Sequence, residues 1–198
     1  QDIELAMVER ARHAIAGTCG HKTFHLGAGL RLFVEGDLAW VATWDAGWPG
    51  GNYPAVSPDQ VSVLPVPGQL NILNGWVLSA EIFDAEAVQE YLEAEAQDPS
   101  QTWFDMDGIE LPLQVRARLP GDRMQPLGMA GKTVKLSDLM INLKLPYHSR
   151  SRWPLVCVGS EIIWVVGCRA GARARLNKTT QRAICLTLAH ESASVELA

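Results

Sequence analysis

The chain has 198 residues, of which 47% are hydrophobic and 20% charged, a composition typical of a folded globular protein. It excludes collagen, a coiled coil and a disordered chain. The net charge of −5, taken alone, argues against a nucleic-acid partner, because binding phosphates requires clustered Lys and Arg. No apolar run of about 18 residues occurs, and the N-terminal residues are too acidic for a signal peptide, so we expect no membrane partner and a cytoplasmic location.

Residues 1–58 are predicted to contain one helix, one β-hairpin and a linker. Apolar residues at three- and four-residue spacing predict an amphipathic helix over residues 3–16. Two apolar runs within residues 29–43, joined at Gly36-Asp37, predict the hairpin. Glycines and prolines over residues 44–58 predict the linker. The chain opens in helical pattern without an initial Met, as a segment cut from a longer protein would, so we expect this part to end a preceding helical domain.

Residues 59–198 are predicted to form a small β-rich domain. An acid-rich helix is predicted over residues 84–97, and a short helix over Leu136–Leu143 with Ser137 as its N-cap residue. Strands are predicted at residues 61–64, 69–73, 75–83, 102–118, 154–166 and 182–189. Strands outnumber helices, so the expected fold class is α+β, mainly β.

The charge is unevenly distributed along the chain. Residues 1–113 hold four basic and seventeen acidic residues, whereas residues 114–183 hold thirteen basic and three acidic ones. Such asymmetry often marks a surface that binds a polyanion, although a solvated surface balancing the rest of the chain is the alternative. Arg116 and Arg118 alternate on a predicted strand, so we expect both side chains on one face. Asp122 is expected to fix a turn or hold an arginine.

The sequence offers no convincing catalytic or metal site. The segment Gly128–Thr133 ends like a phosphate-binding P-loop, but Pro126 stands where the first glycine is required. The five histidines lack the spacing of metal ligands. The sequence also has no G-x-S-x-G motif, so no histidine is predicted to serve a nucleophilic serine. The four cysteines are far apart, which indicates free thiols rather than a zinc site or a disulfide framework.

Residues 115–155 resemble the C-terminal domain of tRNA(Ile)-lysidine synthase. The shared pattern is R-x-R-x-x-G-D-R from Arg116 to Arg123, then P-x-G at Pro126 and Gly128, then P-x-x-x-R at Pro146 and Arg150. It continues through the apolar strand that ends at Gly167. The acidic helix over residues 84–97 has no place in the pattern and is interpreted as an insertion.

The resemblance implies a tRNA-binding, non-catalytic region of a larger ligase. That family uses ATP to attach lysine to the wobble cytidine of tRNA(Ile) with a CAU anticodon, and its last domain binds the acceptor stem. Its S-G-G-x-D-S motif is absent from this sequence, so ATP and Mg²⁺ are expected in an N-terminal catalytic domain, with no cofactor, metal or catalytic residue in this chain. The expected phosphate contacts are Arg116, Arg118, Arg123, Lys132, Lys135, Arg150 and Arg152, and the expected structural residues are Gly121, Asp122, Gly128, Gly131, Pro146, Pro154 and Gly167.

A second function remains open from the sequence. The basic face could instead contact the acidic face of the chain's own catalytic domain, or of a second copy in a homodimer. A similar β-rich domain in the phenylalanyl-tRNA synthetase β subunit has such an architectural role. Self-association without tRNA binding would favour this alternative.

Overall fold

The structure is a computed structural model that describes residues 21–35, 38–43, 53–93 and 98–191, together with Glu9 and Arg12. Apart from those two residues, the helix predicted over residues 3–16 lies outside the described part. The chain forms two compact units, one of residues 1–51 with 146–148 and the other of residues 52–145 with 149–198. The domain boundary after residue 58 stays a prediction.

The first unit contains a three-stranded antiparallel sheet of β1 (His21–Gly27), β2 (Leu30–Glu35) and β3 (Leu38–Thr43), in that order. Glu35 pairs with Leu38, which confirms the predicted hairpin with its two-residue connection. Strand β1 was not predicted, because its apolar residues are few. Its Leu26 nevertheless packs with Leu32 and Val34 of β2 in a small buried cluster.

The second unit is built on two antiparallel sheets. The five-stranded sheet has the spatial order β13 (Arg169–Ala170), β12 (Glu161–Val165), β11 (Leu155–Val158), β8 (Leu113–Arg116) and β4 (Ser62–Leu64). The four-stranded sheet has the order β5 (Gly68–Asn71), β6 (Trp76–Asp84), β14 (Arg182–His190) and β7 (Gln101–Asp105). A ribbon of β9 (Arg123–Met124) and β10 (Val134–Lys135) completes the strands of this unit in the described residues. The fold is α+β and mainly β, as predicted.

Alternate residues of strand β11 enter two different cores, as the twofold periodicity of a strand requires. Val156 belongs to the core that also contains Leu78 and Ile184 of the four-stranded sheet. Leu155 belongs to a second core, shared with Met124, Met140 and their neighbours in the ribbon and the following helix. The second core therefore fixes the ribbon against the five-stranded sheet.

Two α-helices occur in the described part of this unit, and neither has the length and apolar character needed to cross a membrane. Helix α1 (Ala85–Glu93) begins close to the predicted start, and residues 94–97 lie outside the described part. Helix α2 (Leu136–Asn142) matches its predicted range to within one residue. The predicted N-cap was wrong: Lys135 is the N-cap residue without a side-chain bond, and the Ser137 hydroxyl donates to Asp138.

The single extended segment predicted over residues 102–118 was also wrong. Strands β7 and β8 lie in different sheets and are separated by a 3₁₀ turn at Met106–Gly108. The Asp105 carboxylate accepts a hydrogen bond from the Asp107 backbone N–H and caps this turn. A short polar side chain thus diverts the backbone from the extended conformation.

Candidate nucleic-acid interface

The R-x-R-x-x-G-D-R segment forms a tight turn at the end of strand β8. The Asp122 backbone N–H donates to the Leu119 carbonyl at 3.2 Å. Pro120 precedes Gly121, which has a φ of 86°, a pairing that suits a type II turn. An added Cβ would have no atom within 4 Å, so lack of space does not explain the glycine. Its positive φ does, because residues with a Cβ rarely adopt that backbone conformation.

Arg116 is buried and forms a two-point ion pair with Asp122. Its Nη1 and Nη2 donate to the two carboxylate oxygens at 2.8 and 3.0 Å, and only 8% of the residue is exposed. The hydrogen bond to Asp122 raises the pKa of Arg116, and burial partly opposes this. The prediction that Arg116 and Arg118 share one face was wrong, because β8 ends at Arg116 and Arg118 is exposed beyond it. This burial argues against Arg116 as a direct phosphate contact.

Strands β9 and β10 present two cations side by side. Met124 pairs with Val134, and Arg123 with Lys135. Met124 is buried in the second core, so the neighbouring Arg123–Lys135 pair lies on the opposite, solvent-facing side, and both residues are exposed. Two like charges directly opposite each other are unfavourable in an isolated ribbon. A bound anion would relieve that repulsion.

Lys132 lies in the loop between these two strands. Its backbone N–H donates to the Met129 carbonyl at 2.9 Å, closing a turn in which Ala130 and Gly131 both have positive φ. Gly128 has a φ of 84° in the preceding turn. The P-loop-like sequence therefore forms two turns that leave Lys132 exposed.

The remaining predicted cations differ in their surroundings. Arg152 is exposed, whereas Arg150 is half-buried and its Nε donates to the Leu145 carbonyl at 2.7 Å. Among the predicted structural residues, Pro146 is half-buried, Pro154 is buried beside strand β11, and Gly167 has a φ of 69° in the turn after β12.

Five of the predicted cations form no ion pair with any carboxylate in the described residues: Arg118, Arg123, Lys132, Lys135 and Arg152. We call these five exposed residues, of which Arg123, Lys132 and Lys135 lie on the ribbon and its loop, the cationic surface. Arg173 differs, because it donates to Glu161 at 2.7 Å and to Glu110 at 3.3 Å. The cationic surface is therefore available to an external anion, whereas the charge of Arg173 is already paired.

The described residues present no arrangement suited to metal or thiol chemistry. No group of three or more His, Cys, Asp or Glu side chains could hold a metal ion within that part of the chain. Burial raises the pKa of the Cys157 and Cys168 thiols to about 11, so both are protonated near neutral pH. A protonated thiol is a poor nucleophile and metal ligand.

Comparison with known proteins supports the sequence resemblance. Residues 113–186 match the family described as TilS substrate C-terminal domain. A tRNA(Ile)-lysidine synthase from Symbiobacterium thermophilum is 32% identical over 186 residues, covering 93% of this chain and 36% of that protein. One from Geobacter sulfurreducens is 42% identical over 77 residues, covering 39% of this chain and 16% of that protein.

A solved structure supports the same assignment. The crystal structure of a TilS C-terminal domain matches with 31% identity and a TM-score of 0.56, covering 68% of this chain and all of that one.

The fold and its surface define a β-rich module with an exposed set of cations. Together with the comparisons they assign it: the chain belongs to the TilS C-terminal domain family. It spans about a third of the length of the first of the curated relatives named above.

Two further arginines line a cleft and were not among the predicted site residues. Arg169 and Arg175 are exposed and lie in the same basic segment as the others. Their charge was visible in the sequence, but no motif distinguished them from Arg173. Only the three-dimensional arrangement separates paired from available arginines.

Proposed function

We propose that this chain binds tRNA through the cationic surface, as the tRNA-binding part of an enzyme similar to tRNA(Ile)-lysidine synthase. The observation that carries this proposal is the exposed Arg123–Lys135 pair, fixed in register by a ribbon with a buried inner face. Exposed cations on a rigid element suit the phosphate contacts that position a nucleic acid. The family assignment supports the same ligand, because its description names a substrate domain.

The ligand is tRNA(Ile) with a CAU anticodon, held at its acceptor stem. The parent enzyme would use ATP and Mg²⁺ in a separate catalytic domain to attach lysine to the wobble cytidine. In the cytoplasm, this chain binds and orients the tRNA through ionic contacts and hydrogen bonds. Regular duplex backbone fits this role, since phosphates of a helix recur at spacings that several fixed cations can contact together.

The acceptor-stem assignment is tested with two fragments of the same tRNA. A minihelix carrying only the acceptor arm is expected to bind the chain with nearly the affinity of the whole tRNA. An anticodon stem-loop is expected to bind much more weakly. A preference for the anticodon stem-loop would overturn the acceptor-stem assignment, and failure of all three RNAs to bind would overturn the proposed function.

The docking alternative is distinguished in the same samples by sedimentation. Binding to tRNA by a monomeric chain supports the proposal. Self-association of the chain without any tRNA binding would instead favour an architectural role.

A further inference from the structure

A cleft of about 480 Å³ opens on the second unit and includes none of the five residues of the cationic surface. Helix α1 contributes Tyr91 and Leu92 to its walls, the segment before β7 contributes Asp98, and β7 itself contributes Trp103. Residues 168–171 and 175–176 contribute Arg169 and Arg175. The cleft thus combines residues within the family match of 113–186 with residues that precede it.

Two arginines give this cleft its positive charge. Arg175 is exposed and has no side-chain partner in the described part of the chain. Arg169 donates its Nη2 to the Leu127 carbonyl at 2.7 Å, which anchors the guanidinium and leaves other N–H donors for a ligand. Asp98 is the acidic residue of the lining, and its carboxylate already accepts the Ser100 backbone N–H at 2.8 Å. The cations therefore outnumber the acids.

Aromatic side chains supply a platform beside these arginines. Tyr91 stacks on Trp103 with ring centroids 4.8 Å apart and an interplanar angle of 21°. The ring centroids of Phe83 and Trp103 are 4.7 Å apart. Tyr91 and Trp103 are both half-buried and both line the cleft, and Tyr91 is the ring of the pair that helix α1 contributes. The Trp103 Nε1–H is enclosed and has no hydrogen-bond acceptor in the described residues.

We propose that this cleft takes one unpaired nucleotide of the RNA bound at the cationic surface. The base stacks against Tyr91, and Arg175 and Arg169 contact its phosphate. Aromatic rings and arginines are the groups with which proteins bind unstacked bases and single-stranded backbone. This inference rests on the proposed function and adds to it a site for single-stranded RNA, built partly by helix α1.

The test compares a blunt RNA hairpin with the same hairpin carrying a short single-stranded tail. The wild-type chain is expected to bind the tailed hairpin roughly tenfold more tightly, as one stacked base allows. Tyr91→Ala and Arg175→Gln are each expected to abolish that preference without changing affinity for the blunt hairpin. Tyr91→Phe should retain it, because the ring remains. Adenosine monophosphate serves as the third probe, and binding of it as tightly as the tailed hairpin would assign the cleft to a free nucleotide instead.

Arg173→Gln is the matched control, since it removes the same charge two residues from Arg175 at a position already ion-paired. It should leave the preference intact. Equal binding of the two hairpins by the wild-type chain would overturn this inference alone, as would an unchanged preference in Arg175→Gln. Binding of neither hairpin would overturn the proposed function as well. Arg175→Gln alters an exposed side chain, so it carries the test even if Tyr91→Ala disturbs helix α1.

Discussion

Arg116 and Asp122 tie the end of strand β8 to the turn that follows it, with Nη1 and Nη2 of the arginine 2.8 and 3.0 Å from the two carboxylate oxygens. Asp122 also accepts the Leu119 backbone N–H at 2.7 Å. The residues of the R-x-R-x-x-G-D-R motif therefore have two different roles. Arg116, Gly121 and Asp122 build the turn, and Arg118 and Arg123 remain exposed.

We predict that Asp122→Ala lowers the free energy of unfolding by about 3 kcal/mol. Removing one partner of a largely buried ion pair leaves the other charge uncompensated. Urea denaturation measures this loss, and Arg116→Met combined with Asp122→Ala should lose less than the sum of the two single changes. Additive losses would show that the pair contributes no coupling energy.

Helix α2 ends in a Schellman motif with an unfavourable residue at its left-handed position. Leu145 N–H donates to the Met140 carbonyl at 3.1 Å, and Lys144, with a φ of 56°, occupies the position that glycine usually takes. We predict that Lys144→Gly raises the free energy of unfolding by about 1 kcal/mol, because it removes the Cβ strain of that conformation. Lys144→Ala is the matched control in thermal denaturation and should bring no such gain. Equal stabilisation by both changes would contradict the assignment to backbone strain.

Buried thiols predict a loss of stability at high pH. Burial raises the pKa of Cys157 and Cys168 to about 11, above the ordinary value of 9.0 that applies in the unfolded chain. The folded state therefore keeps protons that the unfolded state releases between about pH 9 and pH 11, so stability is full below this window and falls within it.

Each thiol should contribute a loss of about 1.4 kcal/mol per pH unit within that window. The free energy of unfolding is measured by denaturation below pH 9 and again above it, for the wild-type chain and for Cys168→Ala. The variant should show the shallower decline, and parallel curves would contradict the role of Cys168.

Much of the fold could be predicted from local sequence pattern. The hairpin of β2 and β3 and helix α2 follow from turn residues and apolar periodicity, and each was found near its predicted place. The Asn74-Gly75 turn has positive φ at both residues, as that dipeptide favours. These features depend on neighbours in sequence, which is why the sequence alone identifies them.

The arrangement of the sheets could not be predicted in this way. Strand β14 pairs with β6, about a hundred residues earlier in the chain, and with β7, about eighty residues earlier, and no local pattern encodes such partners. Strands of two residues, such as β9 and β10, are too short to show a period. The burial of Arg116 was missed for a related reason: an arginine at a strand end has the same local pattern whether it faces solvent or a carboxylate six residues later.

The central claim is that the exposed cations of the ribbon contact tRNA phosphates, and the salt dependence of binding tests it most directly. The slope of log affinity against log salt should become shallower by about 1.5 when Arg123→Gln and Lys135→Gln are combined, because each phosphate contact contributes about 0.7–0.9 to that slope. Arg173→Gln, whose charge is already paired, should leave the slope unchanged. Identical slopes for the wild-type chain and the double variant would contradict the account.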